Sequence, residues 1–84
     1  MSKESLPQWS ARAQKLSLGI YQHYRGDRYR VIGVSRHSET LEEYVVYQAL
    51  YGDYGLWIRP LAMFCEEIDV NGVQVPRFAW VSKE

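Results

Sequence analysis

Cysteine is nearly absent. Cys65 is the only one among 84 residues, so no disulfide within the chain can support the core. Such usage fits a reducing compartment, and a cytoplasmic location is the expectation. A catalytic thiol would need a nearby base, yet the two histidines, His23 and His37, lie far from Cys65 in sequence. A buried, inert thiol is the simpler reading. These spacings make no zinc pattern, so no metal and no cofactor is expected. No apolar run approaches the ~18 residues of a membrane span. No hydrophobic stretch follows Lys3 and Glu4, so a secretory signal is not expected. Phosphate-cradling glycine loops and the Gly-x-Ser-x-Gly elbow are missing as well. Neither charge is in excess: ten Lys+Arg balance ten Asp+Glu. That balance argues against bulk nucleic-acid or membrane-surface binding, which wants a cationic footprint. A chain this short allows one domain with one small core.

Lysine is missing from the body of the chain. Lys3, Lys15 and Lys83 lie near the ends, and between Leu18 and Ser82 every cation is arginine: Arg25, Arg28, Arg30, Arg36, Arg59 and Arg77. Lys3, Arg12 and Lys15 against Glu4 give residues 1–18 a net charge of +2, which leaves −2 for the remainder. What the chain has in quantity is aromatic side chains, at 14%: seven Tyr, three Trp and two Phe, all but Trp9 beyond residue 18. Arginine suits forked carboxylate pairs and stacking on rings, so a strand-rich body can satisfy its arginines internally.

Residues 5–16, SLPQWSARAQKL, read as a short amphipathic helix, with Ser5 as cap and Pro7 in the first turn. Leu6, Trp9, Ala13 and Leu16 form its apolar stripe. Alone this helix would be marginal in water. Its Trp9 face therefore packs on its own domain or mediates self-association. The chain divides into this helical extension, residues 1–18, and a strand-rich domain, residues 19–84.

From Gly19 onward strand signals replace the helical period. GIYQHY ends in the tight-turn composition Arg25-Gly26-Asp27. RYRVIGVSRH follows, with Tyr29 and Val31 alternating against Arg28 and Arg30. Gly33 marks a bulge that brings Val34 inward. The polar loop SETLEE has Thr40 and Glu43 spaced as a capping pair. YVVYQALY is a third strand, GDYG a turn, and LWIRP a fourth strand stopped by Pro60. LAMF reads as one helical turn and CEEIDV as a fifth strand. Asn71-Gly72 is a strong hairpin signal, and VQVPRFAWV returns with Pro76 requiring an edge or a bend. The fold class expected is mainly β: a small antiparallel barrel of about five or six strands with a short N-terminal amphipathic helix.

The segments GIYQHYRG, RHSETLEE, VVYQALYGDYGLWIRPLAMF and VPRF, in that order and spacing, resemble the small bacterial domain of unknown function 1653 family. The resemblance covers about residues 19–79 and implies an SH3-like β-barrel of five or so strands. It implies no established activity, cofactor or catalytic residue. The first eighteen residues lie outside it.

Three functional readings follow from the residues. With Leu56 and Ile58 toward the core, alternation turns Trp57 and Arg59 outward. With Val46 and Leu50 also inward, Tyr47 and Tyr51 join them on one outer surface, with Arg36 and His37 at its margin. Aromatics offer contact area at low entropic cost and Arg offers directed donors. This surface makes a binding module for a peptide or a small polar ligand the leading expectation. The alternative is a small hydrolase-like or nucleotide-linked enzyme, with His37 as acid or base and Glu39 orienting it. Ser38 beside His37 is no triad, because neighbours in a strand point to opposite faces. The bland reading of this loop is a turn whose polar side chains satisfy backbone N–H groups. The third reading is single-stranded nucleic-acid binding, with Tyr24 and Tyr29 stacking bases and Arg28 and Arg30 holding phosphates. Glu42, Glu43, Glu66, Glu67 and Asp69 would oppose it.

Overall fold

A computed structural model describes residues 6–84. The N-terminal segment carries α1 (Ala11–Lys15), after which β1 (Gly19–His23), β2 (Arg28–Arg36), β3 (Glu43–Ala49) and β4 (Leu56–Pro60) follow. Next come α2 (Leu61–Phe64), β5 (Glu67–Val70), β6 (Val73–Pro76) and β7 (Phe78–Ser82). The protein is mainly β. Five strands form one antiparallel sheet in the order β4-β3-β2-β1-β7, while β5 and β6 form a separate hairpin.

The helix is shorter than its apolar spacing suggests, and its cap is Ser10, whose Oγ accepts from the Ala13 N–H at 3.1 Å. The expected cap at Ser5 lies outside the described residues, and Pro7 precedes the helix instead of opening it. The reason is tertiary. Ser10 also donates from its N–H and its hydroxyl to the Glu43 carboxylate, at 2.9 and 2.6 Å, which fixes where the helix begins. Glu43 is thereby diverted from the expected pairing with Thr40, whose hydroxyl accepts from the Glu42 N–H.

The bulge read at Gly33 is present: register slips between Val31 and Gly33 against β3, leaving Ile32 exposed. Asn71 and Gly72 both have positive φ, at 53° and 83°, and close the β5–β6 hairpin. The chain bends after Pro76, at the end of β6. A proline there costs no ladder bond within the large sheet.

Tyr21, Val31, Val45, Tyr47, Leu61, Phe64 and Phe78 form the core, with Ala13, Leu16 and Tyr29 packed against it. Phe64 stacks on Phe78, ring centroids 4.2 Å apart and planes 5° from parallel, and meets Tyr21 and Tyr47 edge-on or tilted at 5.4 Å. The Tyr47 ring of β3 lies 5.5 Å from the Phe78 ring of β7, although β2 and β1 separate those strands in the sheet. The sheet therefore curls over its own aromatic side chains. It does not close: among the described residues β4 and β7 are not hydrogen-bonded to each other, and no closed barrel is found. Phe64, delivered by α2 directly after β4, occupies the space between them. Aromatic side chains bury enough area to fill that gap without a closing ladder.

Candidate functional site

Two ladders set the site. Tyr47 on β3 pairs with Val31 on β2 on one side and with Trp57 on β4 on the other, and Val45 pairs with Arg59. Paired residues in an antiparallel sheet point to the same face. Val45 and Tyr47 are buried, so Trp57 and Arg59 lie on the core-facing side and Leu56 and Ile58 on the other. This inverts the expected facing: the apolar Leu56 and Ile58 are turned to solvent. Alternation fixes which residues share a face, and the buried Val31, Val45 and Tyr47 show which face is inner.

The grouping itself is as the sequence suggested. Tyr47, Tyr51, Trp57 and Arg59 line one concavity of about 200 Å³, and Tyr29 completes it. Tyr29 donates or accepts at the Tyr51 hydroxyl, 2.7 Å away, and its ring meets Tyr47 at 5.3 Å and Tyr51 at 5.5 Å, both edge-on. Burial, and then the bond to Tyr51, push the Tyr29 phenol well above its ordinary value, so it stays protonated at neutral pH. Arg59 Nε donates to the Tyr47 hydroxyl at 3.3 Å, and its guanidinium lies 5.5 Å from the Phe78 ring centroid. Among the described residues the ion pair formed is Arg77–Glu66, so Arg59 has no carboxylate partner there. Tyr47 is buried, while Trp57 is 56% exposed and forms the rim.

Arg36 and His37 do not join this cluster. Arg36 pairs with Glu43 at the far end of the β2–β3 ladder, donates to the Pro7 carbonyl, and lies over the Trp9 ring at 3.8 Å. Trp9 is thus held by its own chain. His37 Nδ1 accepts from the Glu39 and Thr40 N–H groups at 3.0 and 3.2 Å. Glu39 contributes its backbone N–H to that ring, as expected of a structural turn. The residues of the nucleic-acid reading are divided: Tyr29 faces the core, while Arg28 and Arg30 alternate away from it.

Two placements were not anticipated. His23 lies at the end of β1, with its ring 5.0 Å from Phe78. Desolvation by burial, then the charges of Arg59, Arg77 and Arg25, lower its pKa, and only Asp27 opposes them. Its place among the strand residues of GIYQHY was the available signal. Cys65 is exposed, which corrects the expected buried thiol, because Leu61 and Phe64 take the core positions of α2. Local desolvation still raises its thiol pKa, against Arg12, so a thiolate is disfavoured. Among the described residues no group of three or more His, Cys, Asp or Glu side chains could hold a metal. No helix among them is long and apolar enough to cross a membrane.

Fold and site together define a small, mainly β domain whose curled sheet presents an arginine ringed by aromatic side chains. The chain belongs to the DUF1653 family, described as protein of unknown function, whose model matches residues 19–80. It is also similar to the crystal structure of a DUF1653 protein from Bordetella bronchiseptica. Identity is 38% over 86% of this chain and 95% of that one, with a TM-score of 0.78. No curated protein matches.

Proposed function

We propose that this domain is a binding module for a peptide or a small polar ligand, built on an SH3-like variation of the curled sheet. The observation that carries the reading is Arg59, set in an aromatic concavity with no carboxylate partner among the described residues. Its Nε is committed to Tyr47. The two terminal guanidinium nitrogens suit a carboxylate, phosphate or amide oxygen. Tyr51 and Trp57 offer flat apolar surface at the rim for the rest of the ligand. A small acid-bearing molecule or a peptide terminus fits that combination, and an extended cation does not.

The test is chemical-shift mapping of the labelled domain against pools of peptides and acidic metabolites. Shifts are expected at the Trp57 indole, the Arg59 side chain and the Tyr51 neighbourhood. Arg59→Ala should weaken binding roughly ten- to a hundredfold, as removal of a central interface arginine does. Shifts confined to the face bearing Leu56 and Ile58 would remove the assignment.

A further inference from the structure

Among the described residues β4 pairs with β3 alone, which leaves it a free edge of unusual composition. Its three consecutive residues Leu56, Trp57 and Ile58 are 66%, 56% and 63% exposed. The Ala49 N–H donates to the Gly55 carbonyl, which sets the alternation of the β3–β4 ladder. Trp57 and Arg59 then spend their backbone groups on Tyr47 and Val45, and Leu56, Ile58 and Pro60 turn theirs to the open side. Pro60 has no N–H to offer in either direction. Proteins blunt such edges with lysine, a bulge or an in-strand proline. β4 has no lysine and no bulge, its one proline is the last residue, Pro60, and it runs in unbroken register with β3, whereas the other edge strand, β7, slips register against β1.

We infer that β4 pairs antiparallel with β4 of a second copy of this chain, joining two five-stranded sheets into one. The occupant follows from the strand itself. In the two-fold register that pairs all five residues of β4, Ile58 lies opposite Ile58, and Leu56 opposite Pro60. Trp57 lies opposite the second copy's Arg59. The outward N–H groups of Leu56 and Ile58 meet the carbonyls of Pro60 and Ile58 across the axis, while the Leu56 carbonyl, opposite the Pro60 nitrogen, finds no donor there. Trp57 and Arg59 fall at a non-hydrogen-bonded pair, where side chains approach most closely, and complement one another as ring and cation. The same chemistry already recurs within one chain, where Arg36 covers Trp9 and Arg59 approaches Phe78. On the opposite face, Leu56 and Ile58 of both copies make one continuous apolar strip. The two concavities lie side by side, each with the other copy's Arg59 at its Trp57 rim. This pairing does not depend on what ligand the concavity takes.

Sedimentation equilibrium and amide hydrogen exchange up to about 1 mM protein test it, a range that covers weak self-association. The expected result is a monomer–dimer equilibrium in which the Leu56 and Ile58 amides, unpartnered in one chain, gain protection as concentration rises. Ile58→Lys places like charges on the two-fold axis and should leave a monomer with unchanged circular dichroism and melting. Should that variant misfold, the concentration dependence of those two wild-type amides decides alone. Isotope-filtered contacts between the Trp57 indole and the second copy's Arg59 would fix the register. A monomer throughout the range with freely exchanging Leu56 and Ile58 amides overturns the inference. So does a dimer that survives Ile58→Lys and is lost on Trp9→Ala, because association then runs through the N-terminal segment.

Discussion

The Arg36 guanidinium lies 3.8 Å from the centroid of the Trp9 ring, and the same side chain donates to the Pro7 carbonyl. One residue of β2 therefore sets the path of the segment that precedes α1. An isolated helix of that length does not hold itself together, so the segment is ordered by what it touches.

Replacing Arg36 by Ala should cost about 1–2 kcal/mol, from the lost stacking and hydrogen bond. The loss would appear as a lowered melting temperature and faster tryptic cleavage after Arg12 and Lys15. Arg36→Lys should recover only part of it, since an ammonium cannot lie flat on the indole. Unchanged cleavage in the alanine variant would show that the stack does not hold the segment.

Glu43 gives the same segment a pH dependence. The Ser10 hydroxyl and then its N–H hold the Glu43 carboxyl below its usual value of 4.5, helped by the Arg36 charge and opposed by desolvation. With the folded value depressed, this contribution is full above the usual value and is lost as pH falls through the lowered one. The Ser10 amide resonance should move in that acid range, and Glu43→Gln should abolish the movement. At neutral pH the variant should lose at most about 1 kcal/mol, because the pair is open to solvent.

His23 acts at higher pH. Its folded pKa is lowered, chiefly by burial and then by Arg59, Arg77 and Arg25, so the unfolded chain binds a proton more readily. Stability from this group is therefore complete above the usual value of 6.5 and declines as pH falls from there toward the lowered folded value. Proton NMR titration of the His23 ring should give a midpoint below 6.5. A ligand anion on Arg59 should raise that midpoint by removing part of the opposing charge. A midpoint at or above 6.5 contradicts the assignment.

Gly19 opens β1 with φ at 127°, and a Cβ there would stand 2.3 Å from the Ser82 carbonyl oxygen. Neither the dihedral nor the space admits a side chain. Gly19→Ala should cost about 2–4 kcal/mol, from strain plus the displaced β1–β7 seam. Denaturant unfolding reads it directly, and Gly26→Ala is the comparison, where φ is also positive but no atom lies within 4 Å.

Much of this architecture is legible in local signals. LWIRP is bounded by GDYG and by a proline that cannot donate, and its strand runs from Leu56 to Pro60. Asn71-Gly72 admits positive φ at both positions and makes the hairpin turn. What resists reading is whatever depends on distant partners. Local pattern points to Ser5 as the cap, whereas the cap is Ser10, held by Glu43 from 33 residues away. Which face of β3 turns inward depends on Phe64 and Phe78, which pack on Tyr47 from distant segments, so Tyr47, Tyr51, Trp57 and Arg59 were grouped together but on the wrong side of the sheet. Closure failed for a similar reason. Strand count suggests a barrel, while the seam between the edges is filled by Phe64, from a four-residue helix whose burial no local pattern reveals.

The three tryptophans stand at three different junctions: Trp9 against Arg36, Trp57 on the rim of the concavity, and Trp80 donating from its indole nitrogen to the Leu18 carbonyl. Each indole therefore samples a separate event. Versions keeping one tryptophan and replacing the others by phenylalanine would turn the domain into its own set of optical reporters. Emission from Trp9 would follow release of the N-terminal segment, Trp57 would follow occupancy of the Arg59 site, and Trp80 would follow opening of the β1–β7 seam.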